Sequence, residues 1–253
     1  MTHNIHWETV RKSSNKLDNL SHIWRIPLDL PASEINDFRQ ILSADEIKRA
    51  ERFYFEKHRI RYFAARGFLR GILGFYLGIS GSEVNFEYGE YGKPALPGNP
   101  LYFNLSHSHY MAVLGVYKHS PVGIDIEWIH RRIDLLNIAK RFFAPAEYIE
   151  LASLPVQFQR EGFFNCWTRK EAYIKADGGG LQIPLHQFEV TLKPGESALL
   201  KSSSHKPENS ELLKMISFNI GDDYKAAYIV NKKEVGQKYI DAPSLKILRQ
   251  IKF

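Results

Sequence analysis

Three carboxylates and one lysine define the chemistry open to this chain. Asp125 and Glu127 lie two apart in Val122-Gly-Ile-Asp-Ile-Glu-Trp128, and Glu171 and Lys175 lie four apart in the run from Trp167 to Leu181. Two carboxylates on one face repel each other unless a positive charge sits between them. A hard divalent cation such as Mg²⁺ fills that role, since it takes oxygen ligands and keeps waters and phosphates as further partners. The ordinary structural reading of Asp125 and Glu127 is a solvated strand face. That of Glu171 and Lys175 is a surface ion pair giving roughly 0.2–0.5 kcal/mol.

The elements that carry these residues follow from hydrophobic periodicity. Val122, Ile124, Ile126 and Trp128 alternate with Gly123, Asp125 and Glu127. That is the period of a half-buried strand, so the two acids share a face. Phe163, Trp167 and Ile174 mark an apolar stripe of a helix over 158–175, with Glu171 and Lys175 beside the stripe and Gly178, Gly179 and Gly180 stopping it. Charges at the edge of a core interact more strongly than charges in water.

Taken with two further segments, these motifs resemble the 4′-phosphopantetheinyl transferases. The segments are Gly123-Ile-Asp-Ile-Glu127, then Trp167-x-x-Lys-Glu-Ala-x-x-Lys175, with Gly92-Lys-Pro94 and Phe103-Asn-Leu-Ser-His-Ser108 in order upstream. The length of 253 residues resembles the larger monomeric subgroup, typified by the activator of surfactin synthetase. The resemblance runs from about Arg49 to about Leu181; the first forty and last seventy residues carry no motif.

The resemblance implies coenzyme A as the cofactor substrate and an apo acyl or peptidyl carrier protein as the acceptor. It implies Mg²⁺, with Mn²⁺ as a substitute, held by Asp125, Glu127 and Glu171. Glu171, directly or through water, would take the proton of the attacking serine, and Lys175 would stabilise or protonate the departing adenosine 3′,5′-bisphosphate. His107 would bind the 3′-phosphate, with Lys93 and Ser106 completing the nucleotide pocket. Arg49 and Arg66 would lie near the cofactor phosphates. Asp125 would also touch the cofactor, and Lys170 either contacts a phosphate or lies along the apolar stripe with its head in water. The implied fold is two similar α/β halves in pseudo-two-fold arrangement, residues 1–120 and 121–253, with the active site between them.

Composition sets bounds consistent with this. A formal net charge of +6 leaves nucleic acid, an anionic membrane or an acidic protein as partners. Much of the charge concentrates in Lys48, Arg49, Arg52, Lys57, Arg59, Arg61, Arg66 and Arg70, on two expected helices over 43–54 and 58–77. The first opens with a Ser43–Glu46 capping box. A nucleic-acid-binding protein, or another metal-dependent phosphoryl enzyme such as a nuclease, uses the same residue types. No nucleic-acid module matches, however, and an acidic strand repels phosphate unless a metal intervenes. Cys166 is the one cysteine, which points to a reducing, cytoplasmic setting and to a small core residue rather than a nucleophile. No apolar run approaches membrane-spanning length and the amino terminus lacks a signal-peptide layout; the expectation is a cytoplasmic monomer without membrane or nucleic-acid partners.

Ser106 and His107 are neighbours in an expected strand and point to opposite faces, so they do not form a nucleophile–base pair. Asn104 reads as a backbone-bonding residue. Elsewhere the patterns predict strands over 23–28, 83–86, 102–105, 111–117, 188–192, 198–201, 215–219 and 224–230, helices over 131–143 and 145–154, and a loose polar leader over 1–20. Helices and mostly antiparallel strands without regular alternation make the class α+β.

Overall fold

The computed structural model describes residues 5–10, 17–179, 182–204, 213–231 and 235–250; Gly180 and Leu181 of the glycine run lie outside these. In chain order the elements begin with β1 (Glu8–Thr9), β2 (Leu20–Pro27), α1 (Ala32–Arg39), α2 (Ala44–Glu51), α3 (Glu56–Leu77), β3 (Glu87–Tyr88) and β4 (Pro94–Ala95). Next come β5 (Tyr102–Ser108), β6 (Met111–Tyr117), β7 (Val122–Trp128), α4 (Leu135–Phe142), α5 (Pro145–Ser153) and α6 (Val156–Asp177). The chain continues with β8 (Phe188–Val190), β9 (Leu200–Ser203), β10 (Lys214–Ile220), β11 (Tyr224–Val230), β12 (Gly236–Asp241) and α7 (Leu245–Gln250). The class is α+β, as expected from sequence.

Two main sheets carry the fold, one with strand order β1-β12-β2-β6-β5 and one with order β10-β11-β7. Alternation along each strand sorts side chains into layers. Trp24, Ile26 and Leu114 join Phe38, Phe68 and Ile72 in a core under α1 and α3. Ala227 and Ile229 join Phe163, Phe164 and Ile174 under α6. The opposite faces supply Ile23, Val113, Val122, Ile124, Ile126 and Tyr228 to a third cluster between the sheets.

The even positions of β7 therefore face the inter-sheet cluster, and Gly123, Asp125 and Glu127 face α6. Gly123 decides how close that helix comes. A Cβ built there would lie 2.0 Å from the Ala172 carbonyl oxygen and 2.4 Å from the Ala176 nitrogen. The strand backbone thus rests directly on the helix backbone, which any other residue would prevent. Helix α6 ends at Gly178, whose φ of +86° places it in the left-handed region and whose N–H donates to the Ile174 carbonyl at 3.1 Å.

Several sequence expectations need correction. The polar leader is anchored in its described part: Glu8–Thr9 pairs in parallel with Ile240–Asp241, and Val10 and Leu17 are buried. Residues 83–86 form no strand. Ser80 and Glu83 cap a 3₁₀ turn over Gly81–Glu83 instead, and Arg70 donates to the carbonyls of Gly81 at 3.1 Å and Val84 at 2.7 Å. Those acceptors are therefore engaged without a ladder. The helix expected from 131 starts at Leu135, behind Asp134, whose side chain accepts from the Asn137 N–H. The strand expected over 198–201 forms two residues later, as β9. α1, β3, β4, β12 and α7 have no counterpart among the elements expected from sequence.

His22 of β2 is buried, with Nδ1 hydrogen-bonded to Tyr76 Oη at 2.6 Å. Trp24 donates its indole N–H to the same oxygen at 2.9 Å. The other ring nitrogen, Nε2, is buried and has no hydrogen-bond partner among the described residues. Burial, helped by Lys238, lowers the His22 pKa to about 4. Between pH 6.5 and 4 the unfolded chain binds a proton that the folded chain refuses, so stability falls as pH drops through that window. The loss amounts to roughly 3 kcal/mol at 1.36 kcal/mol per pKa unit. Thermal melts from pH 7 to 4 should show this acid limb in the wild type and a flatter one in His22→Gln, whose amide can hydrogen-bond Tyr76 without titrating; equal slopes would remove the assignment. Gly123→Ala should lower stability by about 1–3 kcal/mol or more. Gly89→Ala, where an added Cβ meets nothing closer than 3.8 Å, should change it little.

Candidate active site

The two sheets meet at the edge strands β5 and β7, and side chains rather than a ladder join them. Asn104 Oδ1 accepts from the Ile124 N–H at 2.9 Å. Ser106 Oγ donates to Asp125 Oδ1 at 2.8 Å. Ser108 Oγ donates to Glu127 Oε2 at 2.9 Å and accepts from the Trp128 N–H at 3.0 Å. Every second residue of β5 thus fixes a residue of β7. Asn104 is the backbone-bonding residue its type suggested. Ser108, which the sequence reading left without a role, orients Glu127.

Helix α6 supplies the other wall. Glu171 and Lys175 each precede one of the two residues that touch Gly123, so they flank the strand's acidic face. Lys175 Nζ lies 2.5 Å from Asp125 Oδ1 and 3.1 Å from Ser106 Oγ. Arg131 Nη1 lies 3.3 Å from Glu127 Oε2. Burial and then the Asp125 charge push Glu171 up to about 7, against the pull of Lys175. Glu127 is raised for the same two leading reasons. Negative charge therefore exceeds the positive charge the side chains provide.

Asp125 Oδ2 is buried and has no hydrogen-bond partner among the described residues. An orphaned carboxylate oxygen beside two further acids fits a hard, oxygen-liganded cation. Among the described residues, however, no group of three or more His, Cys, Asp and Glu side chains stands arranged to hold an ion; the positive group at Asp125 is Lys175.

His107 projects to the accessible side of β5, opposite buried Ser106. Its pKa is lowered by burial first, then by Lys175 and, after an opposing effect of Asp125, by Arg61. Arg61 is held by a two-pronged contact with Asp29, at 2.7 and 3.0 Å. Lys93 donates to the Val122 carbonyl at 3.2 Å and to the Lys175 carbonyl, tying the start of β7 to the end of α6. Its pKa falls to about 8, chiefly through burial. Lys93 also lines a cavity of about 250 Å³ with Pro94, Tyr102, Val122 and Asp177.

Three residues singled out from sequence are engaged with other groups. Lys170 is fully buried on the other side of α6, where it pairs with Glu147 at 2.8 Å and donates to the carbonyls of Leu185 and Phe188. It neither reaches a phosphate nor extends to water. Arg66 Nε donates to Glu46 at 2.6 Å, its guanidinium over Phe86. Arg49 is exposed and stacks over Tyr62 at 5.8 Å. Arg61 is the arginine of that basic run that acts on His107; in sequence it was one of eight cations with nothing to distinguish it. Cys166 is buried with its pKa raised by burial, as a core thiol and not a nucleophile.

Comparisons with known proteins agree with this geometry. The profile of the 4′-phosphopantetheinyl transferase superfamily matches residues 121–229, the span that holds β7 and α6. The 4′-phosphopantetheinyl transferase HetI of Nostoc sp. is 47% identical over 186 residues, 72% of this chain and 78% of that protein. The 4′-phosphopantetheinyl transferase Sfp of Bacillus subtilis is 33% identical over 189 residues, 73% of this chain and 83% of that protein. The 4′-phosphopantetheinyl transferase gsp of Aneurinibacillus migulanus is 33% identical over 183 residues, 72% of this chain and 76% of that protein. With that degree of identity across most of both chains, and with the acidic strand seated on the signature helix, this chain belongs to the 4′-phosphopantetheinyl transferase family.

Proposed function

We propose that the chain transfers the 4′-phosphopantetheine group of coenzyme A to a serine hydroxyl of an apo acyl or peptidyl carrier protein. One observation carries the reading: the Gly123 contact brings Asp125, Glu127, Glu171 and Lys175 to one cleft, in a member of this family. The relatives support neither a nuclease nor a nucleic-acid-binding protein.

The serine oxygen attacks the β-phosphorus as the bond to the adenosine 3′,5′-bisphosphate breaks. Glu171, directly or through a water, is the carboxylate placed to receive the hydroxyl proton. Lys175 meets the negative charge on the departing group. A hard cation, Mg²⁺ or Mn²⁺, held by Asp125, Glu127 and Glu171 would supply charge neutralisation of the pyrophosphate. Ser106 and Ser108 orient the two strand carboxylates. His107 and Arg61 face the 3′-phosphate, and Lys93 lines the nucleotide pocket while fixing the end of α6. We read the chain as a cytoplasmic monomer of two α/β halves, 1–120 and 121–253. The helix-flanked sheets support that division, although β12 returns to the first sheet. Among the described residues no helix is long and apolar enough to cross a membrane.

Incubated with coenzyme A, Mg²⁺ and a panel of apo-carriers, the protein should add one phosphopantetheine to a carrier serine, seen by intact mass. Asp125→Ala should lower turnover by about 10²-fold or more while remaining folded. An unmodified panel would remove the transferase reading, and a near-wild-type Asp125→Ala would remove the site. His107→Ala and Arg61→Ala should each raise the KM for coenzyme A by about tenfold, from loss of a charge-assisted bond. They should also lose discrimination against dephospho-coenzyme A. Variants that kept the wild-type preference would show that the 3′-phosphate lies elsewhere.

A further inference from the structure

We propose that Lys175 is a tethered counter-ion. Its ammonium holds the Asp125 carboxylate in the cation-free chain and leaves that seat when a divalent cation and the cofactor pyrophosphate enter. The identity of the incoming ligands rests on the transferase reading; the seat itself rests on geometry.

Among the described residues Asp125 Oδ1 has two partners, Lys175 Nζ at 2.5 Å and Ser106 Oγ at 2.8 Å, whereas Oδ2 has none. A divalent cation and an ammonium compete for one carboxylate, because like charges at contact distance repel strongly in a partly buried site. Arg131, another cation of the site, stands on Glu127.

Lys175 is built to move without its helix. Its backbone carbonyl is held by Lys93 Nζ, and the helix ends two residues later at Asp177. The side chain is 28% exposed, on a four-carbon stem with freely rotating bonds. The cofactor's phosphates offer the ammonium a second partner. Their arrival frees Asp125, so cofactor and cation each raise the other's affinity, as linkage requires.

The test is Mn²⁺ binding to the full chain, followed by electron paramagnetic resonance of free Mn²⁺, with and without coenzyme A. The wild type should bind Mn²⁺ weakly alone and at least about tenfold more tightly with coenzyme A, within the usual range of coupling. Lys175→Met should bind Mn²⁺ alone about tenfold more tightly than the wild type and lose most of the gain from coenzyme A. Arg131→Met removes a cation from the neighbouring carboxylate and controls for general charge: it should gain less and keep the dependence on coenzyme A. A Lys175→Met that binds Mn²⁺ no better than wild type, or an Arg131→Met that matches it, overturns the proposal.

A second measurement needs no variant. Acetic anhydride labelling of Lys175 in the wild type, read by mass spectrometry, should rise severalfold when saturating Mg²⁺ is added without coenzyme A. Unchanged labelling overturns the proposal. A protein that modifies carriers but shows no Lys175 effect loses only the counter-ion role. One that shows the Lys175 effect but modifies no carrier keeps it and loses the transferase reading.

Discussion

The contact between the backbone of β7 at Gly123 and the backbone of α6 at Ala172 and Ala176 is the constraint on which the cleft depends. A strand and a helix normally keep a layer of side chains between them. Here that layer is missing at one point, so the residue before each contacting alanine, Glu171 and Lys175, is carried alongside Asp125 and Glu127. Lys93 secures the same junction by donating to carbonyls on both elements. Helix α6 can neither lift nor slide without breaking these contacts, which is how a charged constellation is held in place by uncharged backbone.

The same helix shows how position, not residue type, sets the fate of a lysine. Lys170 and Lys175 differ by five residues, or well over a full turn. Lys170 is turned into the dry core, where Glu147 and two carbonyls satisfy it. Removing either partner of such a pair leaves an uncompensated buried charge. Lys175 is turned toward the strand acids at the rim, against Asp125. A buried ion pair fixes the helix on one side, and a partly exposed one faces the cleft on the other.

Legibility in the sequence followed the range of each interaction. β7 and α6 could be read because strand and helix periods are local, and so could the acid pair on one strand face. The reason for the glycine in Gly123-Ile-Asp-Ile-Glu127 could not, because it lies in a helix some fifty residues away. The family resemblance implies Arg49 and Arg66, out of a run of cations, as neighbours of the cofactor phosphates. Glu46, visible in sequence only as the acid of the Ser43 capping box, also binds Arg66 and Arg70. β12 lies between β1 and β2 through pairings that span most of the chain, and no window of neighbouring residues carries that information.

The central claim is that the strand acids and Glu171 form one ligand set facing the cofactor. It is tested most directly by a crystal structure of the protein with Mn²⁺ and coenzyme A, locating the metal by its anomalous scattering. The account predicts a single peak coordinated by Asp125, Glu127, Glu171 and the pyrophosphate, with Gly123 still seated on α6. A metal bound elsewhere, or held by the cofactor alone while that backbone contact is intact, would contradict it.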